Sequence, residues 1–309
     1  MTNDDLIQKI IELRKEKNAV ILAHYYQEPE IQDIADFVGD SLDLSRKSAD
    51  TDADIIVFAG VHFMAETAKI LSPEKKVLLP DLGAGCSLAA SCPADEFKKF
   101  CDRYPDHIVV TYVNTTAEIK ALTDITCTST NALQIIKSIP ETQPIIFAPD
   151  RNLGNYLNSI TGRNMVLWDG ACHVHEEFSL EKIMALREEH PDAKLIAHPE
   201  CQRPLLIASD FVGSTSALLN FTQQDPGKKF IVATESGILH QMRKLNPHKE
   251  FIPAPPIDST CGCNNCKYMK LHNLPKIYAS LRDEKFEIKL SQDIIDKAAK
   301  PIKRMLELS

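Results

Sequence analysis

Three cysteines lie close together near the end of the chain, at Cys261, Cys263 and Cys266. Thiolates bind zinc and iron–sulfur clusters, and two of them can also join in a disulfide. A zinc site would need a fourth ligand, and a disulfide would leave one thiol over. The spacing of this triplet therefore leaves three kinds of chemistry open.

Two other cysteines have a spacing that bears on this choice. Cys86 and Cys172 lie 86 residues apart, and Cys261 lies 89 residues beyond Cys172. Three thiolates brought together from such distant positions would suit a [4Fe–4S] cluster whose fourth iron stays open and acts as a Lewis acid. A catalytic zinc that uses His173 or His175 is the alternative. A sensor in which the cluster has no catalytic role is a third possibility.

The elements that must position these cysteines recur three times along the chain. Apolar runs at 19–26, 107–114 and 194–200 predict buried strands that end in polar residues. A helical segment follows each run, and then a short segment that begins with aspartate. These aspartates are Asp36, Asp124 and Asp210, at spacings of 88 and 86 residues, and the strand-end residues His24, Tyr112 and His198 repeat at the same intervals. Two landmarks therefore share one period.

Further apolar runs complete each repeat. Second strands are predicted at 54–59, 144–148 and 229–233, and third strands at 76–80, 164–168 and 250–253, with helices between them. Strands that alternate with helices indicate parallel sheets. The sequence thus predicts an α/β protein of three homologous αβα sandwich domains, arranged with pseudo-threefold symmetry around a central active site. Their predicted ranges are 1–90, 91–176 and 177–269, with helices in 270–309 packing back on the first domain.

The central site is expected where the strands end. Ligands of parallel sheets bind beyond the carboxyl ends of the strands, and hydroxyl groups just before a helix either cap it or help to hold an anion. The strand-end candidates are His24, Tyr26, Tyr112, Asn114, His198 and Glu200, and the hydroxyl candidates are Ser41, Ser129 and Thr215.

Composition narrows the class of protein. The 309 residues are 44% hydrophobic and 25% charged, and the formal net charge is −8. An acidic chain argues against nucleic acid as a partner. The sequence shows neither a basic, apolar leader nor an apolar run long enough for a membrane span. A cytoplasmic location is therefore expected, where thiols stay reduced. Cys92, Cys101, Cys127 and Cys201 are interpreted as small buried hydrophobic residues.

The motifs together resemble those of the quinolinate synthase family, type A, over essentially the whole length. The resemblance is carried by the segments 22–27 (LAHYYQ), 38–42 (VGDSL), 58–67 (FAGVHFMAET), 79–87 (LPDLGAGCS), 112–114 (YVN), 172–176 (CHVHE), 198–201 (HPEC), 212–215 (VGST) and 266–270 (CKYMK). It implies condensation of iminoaspartate with dihydroxyacetone phosphate to quinolinate, phosphate and water, in the biosynthesis of NAD. It also implies small-molecule substrates only, and a functional link to an aspartate-oxidising enzyme.

The resemblance also implies a set of cluster ligands. These are Cys86, Cys172 and Cys266, holding a [4Fe–4S] cluster with an open iron; the Lys-Tyr-Met-Lys that follows Cys266 selects it over Cys261. Relatives with extra cysteines here usually show Cys-x-x-Cys-x-x-Cys, whereas this chain has Cys-x-Cys-x-x-Cys. A regulatory Cys261–Cys263 disulfide would span a single residue and be strained.

Residue roles follow from the same resemblance. Tyr26 and His24 are expected to move protons at the triose-derived carbons, and Glu200, paired with His198, is the expected base. The remaining polar residues are expected to bind carboxylate or phosphate oxygens of the substrates. They are Tyr112, Asn114, His175, Ser41, Ser129, Ser214 and Thr215.

Overall fold

A computed structural model describes residues 2–258 and 265–309. Its strands form three four-stranded sheets, and every pairing within them is parallel. Helices connect the strands throughout. The predicted α/β class with three αβα units is confirmed.

The helices and strands follow one another in the predicted alternation. The first part of the chain contains α1 (Asn3–Glu16), β1 (Ala19–His24), α2 (Pro29–Ile34), β2 (Phe37–Gly39), α3 (Ser41–Asp50), β3 (Ile55–Ala59), α4 (His62–Leu71) and β4 (Lys76–Leu78). The middle part contains α5 (Ser87–Ala90), α6 (Ala94–Cys101), β5 (Ile108–Tyr112), α7 (Ala117–Lys120), β6 (Ile125–Cys127), α8 (Ala132–Ser138), β7 (Ile145–Ala148), α9 (Arg151–Thr161) and β8 (Val166–Leu167).

The last part repeats the pattern and adds two helices. It contains α10 (His173–Glu176), α11 (Leu180–Glu189), β9 (Lys194–Ala197), α12 (Arg203–Ala208), β10 (Phe211–Val212), α13 (Thr215–Gln224), β11 (Lys229–Ala233), α14 (Ile238–Leu245), β12 (Glu250–Pro253), the 3₁₀ turn Met269–Leu271, α15 (Leu274–Asp283) and α16 (Gln292–Glu307). Among the described residues, no helix has the length and apolar character needed to cross a membrane.

The three sheets have the same strand order, β2-β1-β3-β4, β6-β5-β7-β8 and β10-β9-β11-β12. The predicted first, second and third strands are all present, although the first strands end earlier than predicted, at His24, Tyr112 and Ala197. The sequence analysis missed the fourth strand of each sheet. These edge strands, β2, β6 and β10, are only two or three residues long, too short for a pattern of alternating side chains. Each sheet lies within one predicted domain range, and the exact domain boundaries stay a prediction.

The repeated aspartates hold these edge strands in place. Each carboxylate accepts a hydrogen bond from a backbone N–H near the start of the neighbouring first strand. The pairs are Asp36 with Ile21, Asp124 with Val109 and Asp210 with Leu195, at N···O distances of 2.8, 2.8 and 2.7 Å. We call these three contacts the Asp latches. The most regular landmark of the sequence is therefore structural.

The two C-terminal helices differ in where they pack. Helix α15 contacts α1 and β3, as expected for a helix that packs on the first domain, whereas α16 contacts α4 and also α7 and β6 of the second. Its Ile302 and Met305 are buried, and the Thr126 hydroxyl of β6 donates to the Pro301 carbonyl. The prediction that both helices pack on the first domain is thus too narrow, because the apolar face of α16 covers two domains.

Candidate active site

One concave pocket collects residues from the carboxyl ends of the first strands of all three sheets. The pocket is lined by His24 and Tyr112, which end β1 and β5, and by His198, which directly follows β9. A more open groove on the second domain, near Lys137 and Arg163, contains none of the predicted site residues. The predicted residues that line the pocket are His24, Tyr26, Ser41, Cys86, Tyr112, Asn114, Ser129, Cys172, His175, His198, Glu200, Thr215 and Cys266.

Ser214 is the predicted site residue that the pocket wall does not include. Its hydroxyl accepts a hydrogen bond from the Ala217 N–H and so caps helix α13. The next residue, Thr215, lines the pocket instead. Sequence could not separate these adjacent hydroxyls, because consecutive residues at the start of a helix face different directions.

Glu200 lies at the centre of the polar wall. Its Oε1 accepts a 2.6 Å hydrogen bond from the Tyr112 hydroxyl, and its Oε2 lies 3.0 Å from His175 Nδ1. The His175 ring also stacks on that of His198, with centroids 4.7 Å apart. Burial raises the pKa of Glu200, but its two histidine neighbours and the Tyr112 hydroxyl outweigh burial and lower it overall. The carboxyl group is therefore ionised near pH 7.

Two histidines from different sheets adopt the same local geometry. His24 Nδ1 accepts the Tyr26 N–H at 3.2 Å, and His198 Nδ1 accepts the Glu200 N–H at 3.4 Å. Burial lowers the pKa of His24 to about 4 and that of His198 to about 3. Both rings are thus neutral near pH 7, with the proton on Nε2 as a donor; His198 Nε2 lies 3.1 Å from Ser129 Oγ.

Tyr26 connects the first sheet to the third. Its hydroxyl lies 2.9 Å from Thr215 Oγ1 and 2.8 Å from Thr234 Oγ1, and Thr234 Oγ1 in turn lies 3.1 Å from His175 Nε2. Burial raises the pKa of Tyr26 well above its usual value, so the phenol stays protonated. Thr234 lies directly after strand β11, in a position that the sequence analysis did not single out.

One buried polar atom of the pocket indicates room for a polar ligand. Asn114 Oδ1 is buried and has no hydrogen-bond partner among the described residues, so a donor on a ligand could satisfy it. Asp40, which was not predicted, caps α3 and accepts a hydrogen bond from the Thr130 hydroxyl at 2.7 Å. The Gly-Asp-Ser order of 39–41, with aspartate at a helix start, was the signal that could have found it. The other residues lining the pocket that were not predicted are Val61, Phe63, Met64, Thr128, Val174, Glu235 and Met269.

Three thiols from the three repeats reach the same pocket. Cys86, Cys172 and Cys266 all line it, and no other cysteine among residues 2–258 and 265–309 does. Burial raises the pKa of all three thiols, to about 12 for Cys86, and Cys86 adds to the shift at Cys172 just as Cys266 adds to that at Cys86. Thiolates in such a place need a cationic centre to balance them. The donor set therefore fits an iron–sulfur cluster.

The same wall offers a second set of donors. Ligand atoms of Cys172, His175 and Glu200 all lie within 4.8 Å of one another, which matches the mixed donors of a zinc site. His173 is not part of this set, since its Nδ1 lies 2.6 Å from the Ser87 hydroxyl. Cys92, Cys127 and Cys201 are buried away from the pocket, and Cys101 is partly buried. Cys261 and Cys263 lie outside the described residues.

Comparison with known proteins gives one consistent family. The sequence profile of the family described as quinolinate synthetase A protein matches residues 8–307. The chain is 60% identical over 305 residues to the quinolinate synthase of Thermosynechococcus vestitus, covering 99% of this chain and 96% of that protein. It is 61% identical to that of Trichormus variabilis (99% and 94%) and 59% identical to that of Synechocystis sp. (99% and 96%).

Proposed function

The chain belongs to the quinolinate synthetase A family, and from this premise we propose that its central pocket condenses iminoaspartate with dihydroxyacetone phosphate to quinolinate, phosphate and water. It is an enzyme of NAD biosynthesis, as the resemblance implied, and the alternative of a non-catalytic sensor is set aside. The observation that carries the proposal is the meeting of three thiols and the Glu200 group in one pocket.

We assign Cys86, Cys172 and Cys266 as the residues that hold a [4Fe–4S] cluster. Each follows the last strand, in chain order, of one sheet: Cys86 follows β4, Cys172 follows β8 and Cys266 follows β12. When bound, the cluster supplies Lewis acidity through the iron that has no cysteine ligand. Everything else that the reaction requires has to come from side chains of the pocket.

Proton removal is assigned to Glu200. The reaction forms two bonds between the substrates and loses phosphate and two waters, so protons leave carbon and nitrogen and join the departing oxygens. Glu200 is ionised, its Oε1 accepts the hydrogen bond of the Tyr112 hydroxyl, and its Oε2 lies 3.0 Å from His175 Nδ1. His198 holds the backbone of Glu200 through Nδ1 and presents Nε2–H as a donor.

Proton delivery at the triose-derived carbons is assigned to Tyr26 and His24. Their rings contact each other edge to face with centroids 4.4 Å apart, and both carry a proton at the atom that faces away from the backbone. Because burial keeps Tyr26 protonated and His24 neutral, the Tyr26 phenol is the group that holds a proton to deliver near pH 7, and the His24 ring assists by donating an Nε2–H hydrogen bond to a substrate oxygen. The Thr215 and Thr234 hydroxyls beside Tyr26 can return a proton to it.

Substrate oxygens are assigned to the remaining donors of the wall. Ser41 starts helix α3 and Thr215 starts α13, and both residues line the pocket, where their hydroxyls can bind substrate oxygens. Asn114 has an unsatisfied oxygen that suits the imine or amine nitrogen of a substrate. Ser129 and His175 complete this set, and Ser214 is left to its capping role.

A mononuclear zinc enzyme is the second candidate, favoured by the Cys172–His175–Glu200 group. Such a site would use only one of the three thiols. The substitution Cys86→Ala would then leave metal binding intact, whereas a cluster held by three cysteines would be lost. Metal analysis of this variant separates the two candidates.

The supplier of iminoaspartate follows from its chemistry. This imine hydrolyses readily in water, so a reaction that oxidises aspartate has to provide it close by. We propose a functional link to an aspartate-oxidising enzyme and a cytoplasmic location, in line with the need for reduced thiols.

A direct assay tests the proposed function. Anaerobically prepared protein is mixed with dihydroxyacetone phosphate and with iminoaspartate formed in place, and quinolinate is measured by chromatography. Formation of quinolinate that depends on both substrates is expected. No product from protein that carries its full complement of iron would contradict the proposal.

A further inference from the structure

Two buried carboxylates lie at equivalent positions in the second and third repeats. Asp150 lies two residues after the end of strand β7, and Glu235 lies two residues after the end of β11. The exposed fraction of each residue is 1% or less. The equivalent residue after β3 is Val61. Buried carboxylates are costly unless specific donors compensate them, so their hydrogen bonds show what they do.

Each carboxylate accepts the backbone N–H of a pocket cysteine. The Cys172 N–H donates to Asp150 Oδ2 at 2.8 Å, and the Cys266 N–H donates to Glu235 Oε1 at 3.1 Å. Among the described residues, no carboxylate contacts the backbone N–H of Cys86. Two cysteine loops are thus fixed to the end of a central strand by the same device.

The other oxygen of each carboxylate is fixed as well. Asp150 Oδ1 accepts the N–H groups of Asn152 and Leu153 at the start of α9. Glu235 Oε2 accepts the Gly237 N–H at 2.7 Å, and Lys270 Nζ lies 3.3 Å from Oε1. Neither side chain has freedom to turn, so each transmits the position of a rigid strand end to the cysteine.

We propose that Asp150 and Glu235 are positioning residues that set the backbone at Cys172 and Cys266 for binding an iron–sulfur cluster. This inference rests on the proposed function. Partners of metal ligands that fix ligand orientation typically change metal affinity about 10- to 100-fold when they are removed. The reading in which Asp150 is only a helix cap predicts no such effect.

The variants Asp150→Asn and Glu235→Gln separate these two roles. Asparagine caps helices as well as aspartate does, so α9 can keep its start. Whichever way the new amide turns, however, its NH₂ group faces one of the N–H groups that the carboxylate accepts. Asp124→Asn is the matched control, since Asp124 also accepts a backbone N–H but forms an Asp latch outside the pocket.

The experiment measures release of iron from the reconstituted full-length protein. Anaerobic samples of wild type, both variants and Asp124→Asn receive an iron chelator, and loss of the cluster absorbance is followed with time. We expect release about tenfold faster or more in both variants, and within twofold of wild type in the control. Melting of the iron-free chains shows whether the fold is intact, and Glu235→Gln keeps the test valid if Asp150→Asn does not fold.

Three results would overturn the inference. Release at the wild-type rate from both variants would show that the carboxylates do not position the ligands, while leaving the proposed function untouched. A loss of quinolinate formation with wild-type iron retention would have the same meaning. Wild-type protein without iron and sulfide would instead contradict the proposed function itself, and this inference with it.

Discussion

The Asp latches and the central pocket are both threefold, but they differ in how faithfully the three copies agree. Asp36, Asp124 and Asp210 are the same residue making the same contact, with N···O distances that agree within 0.1 Å. The pocket positions that share their period differ from copy to copy. His24, Tyr112 and His198 occupy one such position, and Tyr26, Asn114 and Glu200 occupy another.

The difference teaches which repeated residues carry chemistry. An edge strand has to be held in the same way in each sheet, so a different residue at a latch position would have no advantage. A single reaction that needs a base, an acid and several donors at one site gains from three unlike residues at equivalent strand ends. The pocket cysteines, in contrast, are the same residue in all three repeats, since they are proposed to hold one cluster together.

The largest effect is expected from removing a cysteine at any of the three corners. Cys86→Ala, Cys172→Ala and Cys266→Ala should each prevent cluster assembly and abolish quinolinate formation, because each would leave an iron without its ligand. Iron and sulfide content of anaerobic preparations measures this. Cys261→Ala is the control and should assemble a normal cluster. If Cys261→Ala loses the cluster and Cys266→Ala keeps it, the assignment of Cys266 as the third ligand is wrong.

Glu200→Gln should come next in size. The amide keeps the volume of the side chain but cannot accept a proton, so kcat should fall by about 10²- to 10⁴-fold. Iron content and melting temperature should stay near the wild-type values, which steady-state kinetics with parallel metal analysis would show. A variant with a normal kcat would remove Glu200 from the role of base.

Thr234→Val tests a residue that lies behind the pocket wall. The change keeps the shape but removes the hydroxyl between Tyr26 and His175. Loss of two hydrogen bonds of about 0.5–1.5 kcal/mol each corresponds to a fall of about 5- to 150-fold in kcat/KM. Thr234→Ser, which keeps the hydroxyl, should restore most of it. Equal rates for valine and serine would show that the hydroxyl does not matter.

Asp36→Ala tests the latches and should affect only stability. The substitution removes the hydrogen bond to the Ile21 N–H and the ion pair with Arg14, and the side chains of that ion pair are partly exposed. The free energy of unfolding should fall by about 1–2 kcal/mol, measured by chemical denaturation, with kcat unchanged. A large loss of kcat in Asp36→Ala protein that is fully folded would show that the Asp latches are not purely structural.

The smallest effect is expected at a contact outside the threefold pattern. Glu284 hydrogen-bonds to Lys17 and Lys76, which lower its pKa to about 2. A lowered pKa stabilises the fold above the unfolded value of about 4.3, and that contribution disappears as the pH falls towards 2. Glu284→Gln should therefore lower the free energy of unfolding by about 0.5–1 kcal/mol at pH 7 and should have almost no effect on it at pH 2. A constant difference across this range, in denaturation at several pH values, would exclude the ion pairs as its cause.

Much of the fold could be predicted because the pattern of each strand and helix occurs three times in the sequence. The central strands are continuous apolar runs, and their spacing gave the sheets and the pocket. The edge strands could not be found in this way, because two or three residues show no period. The sequence also could not show that α16 packs on two domains, because a helix that covers two domains carries the same kind of apolar stripe as one that covers a single domain.

The site was predicted where strand ends carry unusual polar residues, and was missed where the contact depends on three-dimensional position. Asp150 and Glu235 follow strands that look purely structural, and their hydrogen bonds to the cysteine backbones become visible only in three dimensions. Ser214 caps α13 and is not among the residues that line the pocket, which the sequence could not show because the direction of a side chain at a helix start depends on backbone geometry. The choice between Cys261 and Cys266 needed the family resemblance as well as the repeat.

The central claim is that three thiols, one from each repeat, hold one iron–sulfur cluster. It is tested most directly by measuring iron, acid-labile sulfide and visible absorbance in protein purified without oxygen. The account predicts a brown protein with about four irons and four sulfides per chain. A colourless protein that contains zinc and neither iron nor sulfide would contradict it.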